Sequence, residues 1–203
     1  PFAATMILVS PRAPLISARL GAKRAVAGGM MLVVVGLLLM SLVRIDTPYW
    51  YVAMCLFLVA GGVGSAMPSL SSGIVQSVPS HKVGVGSAVN DTTREVGGAV
   101  GIAVIGSVVS SIYRSNAAST IEQFPADLQP LARVNIARAL GLVDGLEQQA
   151  GAAAADALRT ELRQAFVDGT HVALRVSAAL VAVGAAIMFV RLPDSGEHSG
   201  PGH

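Results

Sequence analysis

Long apolar stretches separated by short polar segments make up most of this chain. No Asp, Glu, Lys or Arg occurs between Ala25 and Val43, between Tyr49 and Val78 or between Val96 and Ile112. About 20 consecutive, mainly apolar residues are enough for a helix to cross a bilayer. The pattern therefore predicts membrane helices at 25–43, 49–78, 84–113 and 169–191.

The first apolar stretch is too short for a complete span, and two prolines interrupt it. Pro11 and Pro14 cannot donate the backbone hydrogen bond that a helix interior requires. The chain also begins at Pro1 rather than at a methionine. We therefore expect residues 1–17 to be the end of a truncated membrane helix whose beginning lies upstream.

A short basic segment follows at 18–24. It contains Arg19, Lys23 and Arg24, and its Gly21 can adopt the left-handed backbone conformation that ends a helix. Short connections rich in Lys and Arg face the cytoplasm. The segment is therefore predicted to be a cytoplasmic basic turn.

The remaining connections agree with this orientation. Lys82 and Arg191 fall on the same side as the basic turn when the spans alternate, and Arg44 alone lies in the short opposite turn. We predict a multi-pass protein of a bacterial-type plasma membrane with a cytoplasmic C-terminus. The polar tail at 192–203 is rich in Gly, Ser and Pro and is expected to be disordered.

The segment 114–168 differs in composition from the rest of the chain. It mixes charges of both signs with Pro125 and Pro130, and residues 131–166 are rich in Ala and Leu with interspersed polar residues. Such a pattern is typical of helices that expose one face to water. An extracytoplasmic helical loop is predicted here.

The amino-acid composition agrees with a membrane protein and argues against nucleic-acid binding as a function class on grounds of charge. Hydrophobic residues make up 53% of the 203 residues, charged residues make up 13%, and the mean hydropathy is +0.63. Soluble domains carry roughly 25% charged residues. We predict an all-α polytopic membrane helix bundle with four complete spans and one partial span. The net charge of +2 comes from scattered bases, so nucleic acid is not an expected partner.

Signals for catalysis are missing from the sequence. There is no GxSxG, HExxH or phosphate-binding loop, and the single cysteine, Cys55, rules out an intrachain disulfide and a multi-cysteine metal site. We expect a protein that is not an enzyme and that needs neither a metal nor another cofactor.

The most informative polar residues lie at the head of the span 84–113. Asn90, Asp91, Arg94 and Glu95 precede an uncharged, glycine-rich run. Ionisable groups within a membrane usually face a protein interior or a watery cavity, which makes these four residues substrate or coupling candidates. Alternatively, Asp91 and Arg94 pair on one helix face and all the charges lie at the inner headgroup level.

Small residues suggest where helices pack. Gly97 and Gly101 have the four-residue spacing that lets two membrane helices approach closely, and Gly61 and Ser65 repeat it in the preceding span. Pro68 removes a backbone hydrogen bond and favours a kink. In the same span Gln76 is a further candidate for a substrate path, although polar side chains there also bond to their own helix backbone.

Two of these segments resemble the C-terminal part of a major facilitator superfamily transporter, in particular the fourteen-helix drug:proton antiporters of the EmrB/QacA type. In APLISARLGAKRA, the residues Arg19, Gly21, Lys23 and Arg24 match the family's cytoplasmic loop motif, while Ala18 stands where that motif has an acidic residue. GVGSAVNDTTREVGGAVGIAVIGSV is similar to the family's penultimate helix, in which a polar Asn-x-x-x-Arg step precedes a glycine-rich run. The long loop before the last span is a third point of similarity.

The resemblance implies the function. A member of this family would export small amphipathic or cationic compounds across the lipid bilayer by alternating access, with protons as counter-ions. Its basic turn would help to gate the inner side, although the positive-inside rule alone also explains those charges. To transport, this chain would need the missing N-terminal half of the same protein as its partner. The alternative is a non-transporting membrane interaction protein assembled through its small-residue helices.

Overall fold

The computed structural model describes residues 1–76 and 79–191, and α-helices account for nearly all of them. The helices are α1 (Phe2–Val9), α2 (Ala13–Leu20), α3 (Ala22–Met40), α4 (Tyr49–Gln76), α5 (Val83–Asn116), α6 (Ala118–Ile121), α7 (Gln129–Ala132), α8 (Ile136–Ala150) and α9 (Ala152–Arg191), with 3-10 turns at Ser10–Arg12 and Ser80–Lys82. The described residues contain no strand. Four helices are long and apolar enough to cross a membrane, which confirms the predicted all-α polytopic fold.

Some predicted features lie outside the described residues. They are the disordered tail at 192–203 and the last two residues of the predicted span 49–78. The side chain of Gln76 is also outside the described part of the chain.

The basic connection is shorter than the predicted turn at 18–24. Helix α2 continues to Leu20 and α3 begins at Ala22, so Gly21 alone separates them. Gly21 has φ 82°, a value that side chains with a Cβ rarely adopt. Its N–H donates to the carbonyl O of Ser17 at 2.9 Å, which ends α2. A single glycine is therefore enough to reverse the chain direction between two helices.

The prolines near the start of the chain are placed where helices tolerate them. Pro11 lies in the first turn of the 3-10 helix and Pro14 in the first turn of α2. Those positions have no intrahelical acceptor for an N–H, so the missing donor costs little. The prolines therefore do not break the helical structure: α1, the 3-10 turn and α2 follow one another directly. All three pack on α4.

The chain divides into two compact units, and the first contains α1 to α4 together with 83–101 of α5 and 175–191 of α9. Its tightest contact joins α3 to α4. An added Cβ on Gly29 would lie 2.8 Å from the carbonyl O of Gly62, and one on Gly62 would lie 2.9 Å from the backbone N of Val33. One on Gly36 would lie 3.1 Å from the backbone N of Val59. Backbone therefore packs directly on backbone at these three glycines.

The second unit contains the turn Ser41–Thr47 and residues Ile102–Leu174. Its core is built mainly from small and aliphatic side chains, namely Tyr113, Ala117, Ile121, Phe124, Ala132, Ala139, Val143, Ala155, Leu162 and Ala165. Asn135 caps α8 by accepting a hydrogen bond from the backbone N of Arg138 at 2.9 Å. In the segment 114–168, the helices α6, α7 and α8 thus pack together with the beginning of α9.

Helix α9 is longer than the predicted span at 169–191. It begins at Ala152 and has 40 residues, which correspond to about 60 Å at a rise of 1.5 Å per residue. A bilayer core is about 30 Å thick. Residues 152–168 contain no Gly or Pro and are rich in good helix formers, so the helix continues well beyond its apolar part.

An ion-pair cluster joins the first turns of α9 to α8. The guanidinium of Arg159 lies 2.7 Å from Asp144, 2.6 Å from Glu147 and 2.8 Å from Asp156. The side chain of Arg159 is only 19% exposed. Gly151, with φ 82°, provides the turn that lets α8 fold back against α9.

Candidate functional site

The four polar candidates lie about two to three turns into α5. Asn90 is half-buried, whereas Asp91, Arg94 and Glu95 are exposed. The amide Nδ2 of Asn90 donates to Oδ1 of Asp91 across 3.5 Å. No described residue forms an ion pair with Asp91 or Arg94. The structure therefore brings the four candidates together on one helix and leaves their charges uncompensated within the described part of the chain.

The candidates divide into two neighbouring stripes on α5. At about 100° per residue, Asn90 and Arg94 lie about 40° apart, and Asp91 and Glu95 form a second pair about 100° further round. Gly97 and Gly101 continue the stripe of Asn90 and Arg94. One stripe of α5 thus carries Asn90, Arg94 and the two glycines, and the neighbouring stripe carries the two carboxylates.

The side of α5 that faces away from Asn90 and Arg94 carries an open apolar groove of about 410 Å³. Its lining residues are Gly84, Val85, Ala88, Val89, Thr92 and Thr93. The hydroxyls of Thr92 and Thr93 donate to the carbonyls of Ala88 and Val89, each at 2.8 Å. Because those hydroxyls are satisfied within the helix, the groove offers mainly apolar contact.

The glycines that the sequence singled out on α5 are not packed by the described residues. No atom of another element comes within 4 Å of a Cβ built on Gly97 or Gly101. Glycines that do pack closely include Gly29 and Gly36 of α3 and Gly62 of α4, and the two in α3 were not singled out from the sequence. A signal existed in α3, because Gly29 and Gly36 are seven residues apart and therefore share one helix face.

In the basic motif, three side chains have different surroundings. Arg19 and Arg24 are exposed, whereas Lys23 is half-buried. The ammonium of Lys23 lies 4.8 Å from the ring centroid of Phe189, near the end of α9, in cation–π geometry. Sequence reasoning did not find Phe189. In α4, Pro68 lies within a helix that continues on both sides.

Within the second unit, His171 joins α9 to the turn between α3 and α4. Its Nε2 lies 2.5 Å from the carbonyl O of Val43. A carbonyl can only accept, so Nε2 carries the hydrogen and donates. This contact fixes the turn against the helix.

We expect His171→Ala to lower the free energy of unfolding by about 0.6 kcal/mol, the average for a hydrogen bond between membrane helices. His171→Gln, which keeps a donor, should lose less. Thermal unfolding in detergent measures both variants. Equal loss in the two variants would contradict a role for the hydrogen bond.

The arrangement of long apolar helices defines a multi-pass membrane protein. Comparison with known proteins narrows this class of protein further. No family model matches the chain. It is 32% identical over 162 residues to the multidrug efflux pump LfrA of Mycolicibacterium smegmatis, a match covering 80% of this chain and 31% of LfrA.

Two further relatives agree with that likeness. The chain is 26% identical over 188 residues to the multidrug resistance protein Stp of Mycobacterium tuberculosis, covering 90% of this chain and 35% of Stp. It is 28% identical over 186 residues to the methyl viologen resistance protein SmvA of Salmonella typhimurium, covering 90% of this chain and 36% of SmvA. The chain is therefore similar to bacterial multidrug efflux and resistance proteins and spans about a third of their length.

Proposed function

We propose that this chain is the C-terminal part of a proton-coupled multidrug exporter of the major facilitator type. The observation that carries the proposal is the uncovered polar surface of α5, in a chain similar to efflux and resistance proteins over 80–90% of its length. Residues 91–100 are all exposed. In lipid, each ionised group of this kind would cost about 2.5–3.5 kcal/mol on insertion scales.

That cost is avoided when protein or water covers α5. The matches cover only 31% of LfrA and 35% of Stp, and we propose that the complete protein likewise has further segments that can lie against the stripe of Asn90 and Arg94. We propose that the missing N-terminal half supplies them and that a water-accessible cavity forms between the halves.

The chemistry of α5 suggests the class of substrate. Asp91 and Glu95 can attract a cation, and the apolar groove on the same helix can contact a hydrophobic body. The methyl viologen resistance of SmvA and the multidrug efflux of LfrA agree with small organic substrates. We propose amphipathic or cationic compounds, exchanged for protons.

The proposed orientation places the basic motif and the C-terminus in the cytoplasm. Arg19, Lys23 and Arg24 lie around the connection between α2 and α3, and Arg191 ends α9. These positive charges favour the cytoplasmic side. The pairing of Lys23 with Phe189 ties the motif to the last helix and gives it a means of closing the inner side.

Efflux of a fluorescent cationic dye from cells that express the complete gene tests this function. We expect energised efflux that collapses when a protonophore is added. Efflux that persists with the protonophore would contradict proton coupling. No efflux of several cationic and neutral dyes, with membrane insertion verified, would instead favour a non-transporting interaction protein.

A second prediction concerns the cover over α5. Gly97→Leu should reduce efflux about tenfold, because overpacking a helix contact costs roughly 1–3 kcal/mol. Gly106→Leu is the matched control, since nine residues place it about 180° away on the same helix. Gly106 also has no atom within 4 Å of its Cβ position. Normal expression and efflux in Gly97→Leu would show that this face contacts lipid.

A further inference from the structure

The second unit shows where α5 and α9 leave the apolar part of the membrane. An added Cβ on Gly169 would lie 3.0 Å from the carbonyl O of Val109 and 3.6 Å from the N of Tyr113. Helix α5 becomes charged directly after this level, at Arg114, and α9 becomes mainly apolar directly after Asp168. The contact of His171 with Val43 brings the end of the α3 apolar run to the same level. The bilayer boundary therefore crosses the unit here.

Helix α7 (Gln129–Ala132) lies at that boundary. The Tyr113 hydroxyl is 3.5 Å from the carbonyl O of Ala132, and both residues belong to the buried core of the unit. Side chains of an α-helix lean toward its N-terminus. The Tyr113 ring therefore leans toward the membrane, and Ala132 is no further from the bilayer than the end of α5.

Two large apolar side chains in α7 and directly after it are exposed. Leu131 is 41% exposed and Val134 is 53% exposed, while Ala132 between them is fully buried. Two large aliphatic side chains thus project away from the core at the level of the headgroups. Contact with acyl chains would remove their apolar surface from water.

Two arginines accompany these side chains. Arg133 and Arg138 are exposed, and neither forms an ion pair with a described residue. From Leu128 to Val143 the chain contains these two positive charges and no carboxylate. A guanidinium can bind a phosphate through two parallel hydrogen bonds. The charge of this segment therefore complements a layer of lipid phosphates.

We propose that α7 and the residues that follow it form a lipid anchor, in which Leu131 and Val134 enter the acyl boundary and Arg133 and Arg138 bind phospholipid headgroups. The anchor fixes the second unit on the membrane surface. It depends on neither the direction of transport nor the proposed substrate, because the residues lie at the same boundary whichever side the unit faces.

Contact quenching in proteoliposomes of the complete protein tests the anchor. In a cysteine-free background that includes Cys55→Ala, Val134→Cys carries an environment-sensitive fluorophore. Ala154→Cys is the matched control, because it is exposed and lies about 22 Å along α9 from Gly169 at 1.5 Å per residue. We expect brominated acyl chains to quench the label at 134 several-fold more than the label at 154, and aqueous iodide to do the reverse.

Two outcomes of that measurement would overturn the anchor. Iodide quenching at 134 equal to that at 154 would show that the segment lies in water. Protection from both quenchers would show that protein covers it, as would follow if the N-terminal half lay there.

The arginines have their own test. Adding phosphatidylglycerol to phosphatidylcholine vesicles should increase quenching of the 134 label by brominated chains, and Arg133→Gln with Arg138→Gln should abolish the increase. Arg163→Gln, an exposed arginine on α9, is the matched control and should retain it. An equal increase in the double variant would overturn headgroup binding by these arginines.

Discussion

Replacing Gly62 by alanine is expected to destabilise the bundle by about 3 kcal/mol, near the upper end of the usual range for overpacking. The new methyl group would lie 2.9 Å from the backbone N of Val33 and would overlap the carbonyl O of Gly29. Both neighbours are backbone atoms of α3, so no side-chain rotation relieves the contact. Helices α3 and α4 would have to separate. Thermal or denaturant unfolding of purified protein in detergent measures the loss.

Neighbouring glycines provide the controls for this substitution. A Cβ on Gly61 would meet only the Cδ2 of Leu32 at 3.5 Å, and one on Gly28 would meet nothing within 4 Å. Alanine is a better helix former than glycine by about 1 kcal/mol, so Gly28→Ala and Gly61→Ala should be neutral or stabilising. If Gly62→Ala were as stable as these variants, the close approach of α3 and α4 would be wrong.

Loss of Arg94 should have the largest effect on function. In the complete transporter we expect Arg94→Ala to insert normally but to lower the initial rate of dye efflux at least about tenfold. Truncating one member of a desolvated charged contact costs roughly 2–5 kcal/mol, and each 1.4 kcal/mol corresponds to about a factor of ten. The expectation depends on the proposed cover over α5, which would remove water from around the guanidinium.

Two variants separate a charged contact from a general disturbance of α5. Arg94→Lys keeps the positive charge but lacks the planar fork of donors, so it should restore part of the activity if charge matters. Thr92→Ala lies about 160° round the helix from Arg94, in the groove, and removes only a hydroxyl that bonds within the helix. Unchanged efflux by Arg94→Ala at equal expression would remove Arg94 from the site.

The sequence was enough to identify the residues of the candidate site, but it was not enough to predict which other residues contact them. Asn90, Asp91, Arg94 and Glu95 stand out because charge is expensive within an apolar run. Whether Asp91 and Arg94 pair depends on side-chain conformation, and the structure shows them without an ion pair. Spacing alone could allow such a pair but could not decide it.

Some helix boundaries follow from the local sequence, whereas others depend on contacts with residues further along the chain. The end of α2 follows from Gly21, because only glycine readily adopts the positive φ that the connection needs. Because the first turns of α9 are charged, the sequence predicted a helical loop at 114–168 and a separate span at 169–191, and not one continuous helix from Ala152 to Arg191. Those turns are held against α8 by Arg159 and its three carboxylates, which lie 3 to 15 residues away along the chain.

The sequence by itself determined that this protein is an all-α, multi-pass membrane protein, because run length and composition decide what can cross a bilayer and only hydrogen-bonded helices can do so there. The tertiary structure alone decided which small residues are packed. Gly97 and Gly101 share their spacing with many pairs, but a close contact also requires a partner backbone at the right height. Gly29 and Gly62 meet because the single turn between α3 and α4 fixes the register of two antiparallel helices, and no local pattern encodes that register.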